Sequence, residues 1–211
     1  MAVEQDEVAM ARAALAEYLE LARRGFTKSG VLGYPTATIL FAFIDAIGSY
    51  HCEVASFSVR VGDEDLKITQ PEHHMRILNS DYFGLTLTAE QINRLYRLTR
   101  SPLTHNALVG GGTALWPGDP GAVAIEETDG LLNVRLSGLL TICEQAYERF
   151  ESKAATIVPE SFPIRHLREK ELSYEEQIKK AIHRLGKLGP FESMQASAMG
   201  GTRDLRWKIR K

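Results

Sequence analysis

The segment from Pro35 to about Ser49 is apolar on nearly every side and constrains the fold more than any other part of the chain. Its most apolar run, Thr38–Ile47, is far shorter than the roughly 20 residues needed to cross a bilayer. We therefore predict a central, buried helix with Pro35 in its first turn. Asp45 interrupts the run, and a buried carboxylate needs a partner. Pairing with an arginine is the favoured interpretation, and a catalytic role is the alternative.

Periodicity and end signals predict the remaining helices. Residues 2–24 repeat apolar side chains every three or four positions and end at Arg23-Arg24-Gly25. Thr88-Ala-Glu-Gln91 and Ser173-Tyr-Glu-Glu176 are capping-box patterns, each of which predicts the start of a helix. The predicted helices cover 2–24, about 35–49, 71–78, 89–99, a long segment that includes Leu139 to Phe150, and a segment from 173 towards Gly186.

Turn signals predict a small β-hairpin between the helices. Val123–Thr128 and Leu131–Arg135 flank Asp129-Gly130, the usual arrangement of a tight hairpin. We interpret Gly110–Gly112 as a hairpin turn rather than a phosphate-binding loop, because it lacks the Lys-Ser/Thr of a P-loop. After Ala155, two prolines mark a linker. The sequence thus predicts a mainly α fold, with a helical bundle over 1–155 and a C-terminal extension over 156–211.

Composition narrows the function classes. The chain has 211 residues, 44% of them hydrophobic, and a formal net charge of -2, so a local patch must hold any anionic partner. Cys52 and Cys143 lie in apolar settings and are expected to be buried, unpaired thiols. Acidic residues stand where the basic start of a secretory signal would be, and we expect a cytoplasmic protein. No histidine has metal-ligand spacing, and His73-His74 are expected at a surface or interface; we predict no metal and no cofactor.

The most informative chemistry is the pair Arg100 and His105. In an unbroken helix the two side chains would leave the axis about 140° apart. Pro102 is expected to break the helix, with Ser101 as the N-cap of a new turn, so that both side chains converge on one hollow. An arginine suits phosphate, and a histidine can donate or accept a proton. The pair is the minimum set for metal-free phosphodiester chemistry.

This stretch, Arg100-Ser-Pro-Leu-Thr-His105, resembles the HEPN superfamily, whose hallmark is an arginine, four to six residues, and a histidine. The resemblance covers about Val3 to Phe150 and implies a HEPN-like helical bundle. It also implies a homodimer in which two Arg–His pairs meet and cleave RNA without metal. The expected role of such a protein is that of a toxin or defence ribonuclease, with an antitoxin-like protein as a possible partner. His105 would assist attack of the ribose 2′-hydroxyl, and Arg100 would stabilise the phosphorane. Ser101 stands where active members often have Asn, Asp or His; Asn106 and Asp45 are candidate supporting residues.

Two alternatives remain open. The pair can be structural, in which case the chain is a non-catalytic helical module that binds a protein or nucleotide. The basic end of the chain can also bind nucleic acid through Arg206, Trp207, Lys208 and Arg210. The favoured interpretation of that end is a half-buried strand with a solvated basic face.

Overall fold

The computed structural model describes residues 2–27, 30–106, 108–119 and 121–185. Helices predominate in these ranges, which confirms the predicted mainly α class. They are α1 Ala2–Arg24, α2 Gly33–Tyr50, a 3₁₀ helix Pro71–Asn79, α3 Ala89–Arg94, a π-helical segment Leu95–Arg100, α4 Ser101–Asn106, α5 Leu136–Ile157 and α6 Phe162–Leu185. Within these ranges, no helix is both long enough and apolar enough to span a membrane.

The described strands form three small sheets. They are β1 Phe26–Thr27, β2 Gly30–Val31, β3 Val59–Val61, β4 Glu64–Leu66, β5 Thr113–Trp116, β6 Ile125–Thr128 and β7 Leu131–Arg135. The antiparallel pairs are β1–β2, β3–β4 and β6–β7. Asp129 and Gly130 join β6 to β7 and both have positive φ, so the predicted hairpin is confirmed. β5 lies parallel to β7, a pairing that the sequence did not predict.

The central position of α2 is confirmed. Its apolar side chains are buried against α1, α5 and the 3₁₀ helix, and Phe43, Ile44 and Ile47 are 0% exposed. Gly48 allows the close approach of the 3₁₀ helix, because a Cβ at this position would lie 2.5 Å from the carbonyl oxygen of His74. The missing side chain at residue 48 therefore brings His74 directly against α2.

The helix that carries Arg100 runs without interruption from α3 through the π-helical segment into α4. Ser101 has helical dihedrals, φ −65° and ψ −50°, and its N–H donates to the carbonyl oxygen of Tyr96, five residues back. The predicted break at Ser101-Pro102, with Ser101 as an N-cap, is therefore wrong.

Redirected hydrogen bonds explain how the helix tolerates Pro102. A proline has no N–H for the carbonyl group four residues back, which here belongs to Leu98. That carbonyl oxygen instead accepts from the N–H of Gly110 at 2.6 Å. Gly110 lies so close that a Cβ there would be 3.0 Å from the Cβ of Leu98. Gly110 alone makes this contact, and Gly111 and Gly112 form a turn that leads into β5. This turn does not join two antiparallel strands, so the predicted hairpin turn is wrong.

One of the two predicted capping boxes forms. The N–H of Gln91 donates to Thr88 Oγ1 at 3.1 Å, and Gln91 Oε1 accepts from the N–H of Thr88 at 2.9 Å. The second is wrong, because Ser173 and Glu176 lie inside α6, which begins at Phe162.

The predicted linker after residue 155 is shorter than expected. α5 ends at Ile157, and Pro163 lies in the first turn of α6, where a proline is tolerated. Contacts between residues define a compact unit that ends at Arg165 and a second unit that begins at His166. The basic segment with Arg206, Trp207, Lys208 and Arg210 lies outside the described residues, as does the predicted strand there.

We expect Gly48→Ala to lower the free energy of unfolding by about 2 kcal/mol, because the new methyl group meets backbone atoms that cannot move independently. Gly33→Ala is the matched control in the same helix, since a Cβ there meets nothing within 4 Å. Urea denaturation measures both variants. Equal stability of Gly48→Ala and wild type would contradict the described packing of the 3₁₀ helix on α2.

Candidate active site around Arg100 and Asp45

Arg100 is held by the carboxylate of Asp45. The guanidinium Nη2 donates to Asp45 Oδ2 at 2.7 Å, and the guanidinium carbon lies 5.6 Å from the ring centroid of Tyr96. The Arg100 side chain is 20% exposed and that of Asp45 19% exposed. The prediction that Asp45 pairs with an arginine is confirmed. A guanidinium with a carboxylate on one side and an aromatic ring within cation–π distance has little rotational freedom.

His74 is the second partner of Asp45 and was not identified from the sequence. Its Nδ1–H donates to Asp45 Oδ1 at 3.2 Å, and the residue is 8% exposed. The prediction of a surface or interface position is therefore wrong for His74. In a 3₁₀ helix, residues three apart align, so His74 shares the inward face with Ile77. The three-residue spacing of His74 and Ile77 is visible in the sequence. It predicts a shared face only if the segment is known to be a 3₁₀ helix.

The partners of Asp45 outweigh the effect of burial on its pKa. Burial raises the pKa of the Asp45 carboxyl, while the hydrogen bond from His74 and the charge of Arg100 lower it. The net result is a pKa below the ordinary value of 3.8. Asp45 is therefore a carboxylate at neutral pH and balances one positive charge at the site.

His105 lies on α4 and points away from this cluster. His105 and Asn106 are exposed, whereas Leu103 between Arg100 and His105 is buried. His105 makes no hydrogen bond or ion pair with the described residues. Because the helix is unbroken, five residues separate the two side chains by about 140° around the axis. Within one chain, the structure brings Arg100 to Asp45 and leaves His105 in solvent.

Contacts within the helix fix the backbone between the two residues. Thr104 Oγ1 donates to the carbonyl oxygen of Arg100 at 2.8 Å. Ser101, the second residue of the motif, is half-buried. Within the described ranges, no three His, Cys, Asp or Glu side chains lie close enough to hold a metal ion. The buried cluster thus offers the guanidinium of Arg100, the carboxylate of Asp45 and the imidazole of His74, while the imidazole of His105 and the amide of Asn106 are exposed on α4.

Comparisons with known proteins do not assign a family to the chain: no family model, no curated protein and no solved structure matches it.

A double-mutant cycle tests the pairing of Asp45 with Arg100. With Asp45→Asn, Arg100→Met and the double variant, we expect a coupling free energy of about 1–3 kcal/mol, because both side chains are largely buried. The exposed pair Arg60 and Asp65, 3.4 Å apart, is the matched control and should couple by less than about 0.5 kcal/mol.

The coupling should depend on pH in a defined direction. Because the folded-state pKa of Asp45 is lowered, the coupling is present above about pH 3.8 and is lost as the pH falls through the lowered value. Urea denaturation at several pH values measures the cycle. Equal coupling in the buried and the exposed pairs would contradict the described geometry.

Proposed function

We propose that the protein is a metal-independent endoribonuclease of the HEPN type that acts as a homodimer. The reaction is transesterification: the ribose 2′-oxygen attacks the neighbouring phosphorus, and the bond to the 5′-oxygen breaks. His105 accepts the proton of the 2′-hydroxyl, and the second copy's His105, in its protonated form, gives its proton to the leaving 5′-oxygen. Arg100 stabilises the negative charge that develops on the phosphorane. The products are a 2′,3′-cyclic phosphate and a 5′-hydroxyl.

The observation that carries this proposal is the fixed orientation of Arg100, together with an exposed histidine five residues further along the same helix. A guanidinium held by Asp45 and Tyr96 loses little conformational entropy when a phosphate binds. The part of its side chain that remains exposed can donate a hydrogen bond to a phosphate oxygen. His105 is exposed and is bonded to none of the described residues, so its imidazole is available for proton transfer.

A second copy is a requirement of this mechanism. Arg100 and His105 leave the helix in different directions, so one chain does not surround a phosphate with both groups. In a twofold dimer, residues near the axis meet their own copies, so two His105 side chains can face one phosphodiester. The homodimer that the motif implies is therefore part of the proposal and is tested together with it.

The ion pair with Asp45 favours a second candidate, a non-catalytic helical module that binds a protein. In that case the carboxylate neutralises Arg100, and the cluster of Asp45, Arg100 and His74 only joins helices. Such a protein has no nuclease activity, and a substitution of His105 changes nothing.

We expect the purified protein to cleave single-stranded RNA in the presence of EDTA, and His105→Ala to lower kcat by about 10²- to 10⁴-fold because the proton acceptor is lost. The readouts are gel analysis of labelled RNA and mass spectrometry of the 2′,3′-cyclic phosphate end. His183→Ala, which removes an exposed imidazole on α6, is the matched control and should keep wild-type activity. Undiminished cleavage by His105→Ala would refute the mechanism.

Asp45→Asn distinguishes positioning of Arg100 from its neutralisation. We expect kcat to fall by about ten- to a hundredfold with KM nearly unchanged, because the guanidinium loses its orientation. A rise in kcat would mean that the charge of Asp45 neutralises Arg100 and so lowers the activity of the wild-type protein. The matched control is Asp65→Asn, which removes an exposed carboxylate from the β3–β4 hairpin and should leave kcat unchanged.

A further inference from the structure

A cavity of about 610 Å³ lies away from Arg100 and His105. Four segments of the chain line this cavity. They are the turn that follows α2, the β3–β4 hairpin with the residues just before it, the end of the 3₁₀ helix with the residues that follow, and the end of α5 with the residues that follow. The volume falls in the range of small-molecule binding sites, and apolar side chains form part of the wall. The residues on which the argument depends are His51, Phe57, Tyr82 and Lys153.

The imidazole of His51 lies in this wall and has no hydrogen-bond partner among the described residues. The residue is 4% exposed, and its ring lies 4.0 Å from the ring centroid of Phe57 in a stacked arrangement. Its Nε2 is buried and has no hydrogen-bond partner. Such an atom costs about 1–3 kcal/mol in a folded protein. The packing of the domain therefore leaves the imidazole beside the cavity with unused hydrogen-bonding capacity.

His51 is neutral at physiological pH. Burial, assisted by the charge of Lys153, lowers the pKa of His51 to about 4. A neutral imidazole has one N–H donor, one nitrogen acceptor and no net charge, so it offers a ligand hydrogen bonds but no ion pair. The imidazole can therefore bond to a ring nitrogen or a carbonyl group of a ligand, and the ion pair for an anionic group has to come from a different residue.

Lys153 is the cation that remains for an anionic group. Its ammonium lies 5.3 Å from the ring centroid of Tyr82, and it forms no ion pair with a described carboxylate. Arg60, the other cation in the wall, is already 3.4 Å from Asp65. Since Asp81 and Glu160 also line the cavity, a ligand with one anionic group fits better than a polyphosphate.

Tyr82 supplies an aromatic surface. Its ring centroid lies 5.1 Å from that of His51, and the rings are inclined by 46°. Burial, with a contribution from Asp81, raises the pKa of Tyr82 to about 12, so its ring is a neutral phenol. A planar ring beside Tyr82 gains stacking contacts within reach of both His51 and Lys153.

We propose that this cavity binds a small heteroaromatic ligand with one anionic group: the ring lies beside Tyr82, a ring nitrogen or carbonyl group bonds to the His51 imidazole, and the anionic group lies beside Lys153. The site does not depend on the proposed nuclease activity, because it shares no residue with the Arg100 cluster. Two sources of this chemistry, a nucleoside monophosphate and an aromatic carboxylate, form the arms of the test.

Isothermal titration calorimetry with the full chain tests the proposal. The first arm uses AMP, GMP, CMP and UMP, with adenosine and ribose 5-phosphate as matched ligands that lack the phosphate or the base. The second arm uses nicotinate, with nicotinamide as its uncharged match. We expect at least one anionic heteroaromatic ligand to bind with Kd below about 1 mM, and its uncharged match to bind at least about tenfold more weakly. Ribose 5-phosphate should not bind.

Single substitutions test whether the ligand binds in this cavity. We expect Lys153→Met to weaken the anionic ligand about tenfold and to leave its uncharged match unaffected. His51→Phe, which keeps a planar buried ring, should weaken both. Lys67→Met, at an exposed lysine outside the cavity, is the control and should change neither. A ligand-induced shift of the His51 ring nitrogens by NMR tests the same contact in wild type, should His51→Phe not fold.

Two outcomes overturn the proposal. One is that no ligand of either arm binds below about 1 mM. The other is that binding is the same in Lys153→Met, wild type and Lys67→Met and leaves the His51 ring signals unchanged, which would locate the ligand elsewhere.

Discussion

The carboxylate of Asp45 is the interaction on which the candidate site depends. It joins the central helix α2 to the π-helical segment through Arg100 and to the 3₁₀ helix through His74. All three side chains are largely buried, so the loss of one leaves a polar group without its partner in a poorly solvated place. Core packing fixes the position of α2, and Asp45 on this helix therefore holds the guanidinium of Arg100 in place near the surface. Arg100 can thus keep one orientation without any support from a loop.

The sequence was sufficient to predict those features that depend only on residues close together in the chain. The capping box at Thr88 and Gln91 and the turn at Asp129-Gly130 involve hydrogen bonds or dihedrals of near neighbours, and both form as predicted. α2 was predictable for another reason, since a helix that is apolar on nearly every side has to lie in the core. The need of Asp45 for an arginine followed from the same burial. The identity of that arginine did not, because it depends on how two helices cross.

Most of the wrong predictions concern places where a residue distant in the sequence determines the local structure. Pro102 normally ends a helix, but Gly110 approaches closely enough to take over the carbonyl oxygen of Leu98, and a π-helical turn absorbs the remaining mismatch. β5 pairs in parallel with β7, and parallel pairing has no turn sequence that would reveal it. The capping-box pattern at Ser173 failed for the opposite reason: the helix had already begun at Phe162, so the serine had no free helix end to cap.

The unbroken helix changes what the Arg–His motif can mean chemically. A broken helix would have let one chain fold both groups around a phosphate. In the observed helix, Arg100 is directed to α2 and His105 to solvent, so the distance between the groups is set by the assembly and not by the motif spacing. In the proposed twofold dimer this separation is useful: each arginine stays anchored to its own core, while the exposed histidines approach from opposite sides of the axis. General acid and general base then come from different copies, which a single chain with both groups in one hollow would not provide.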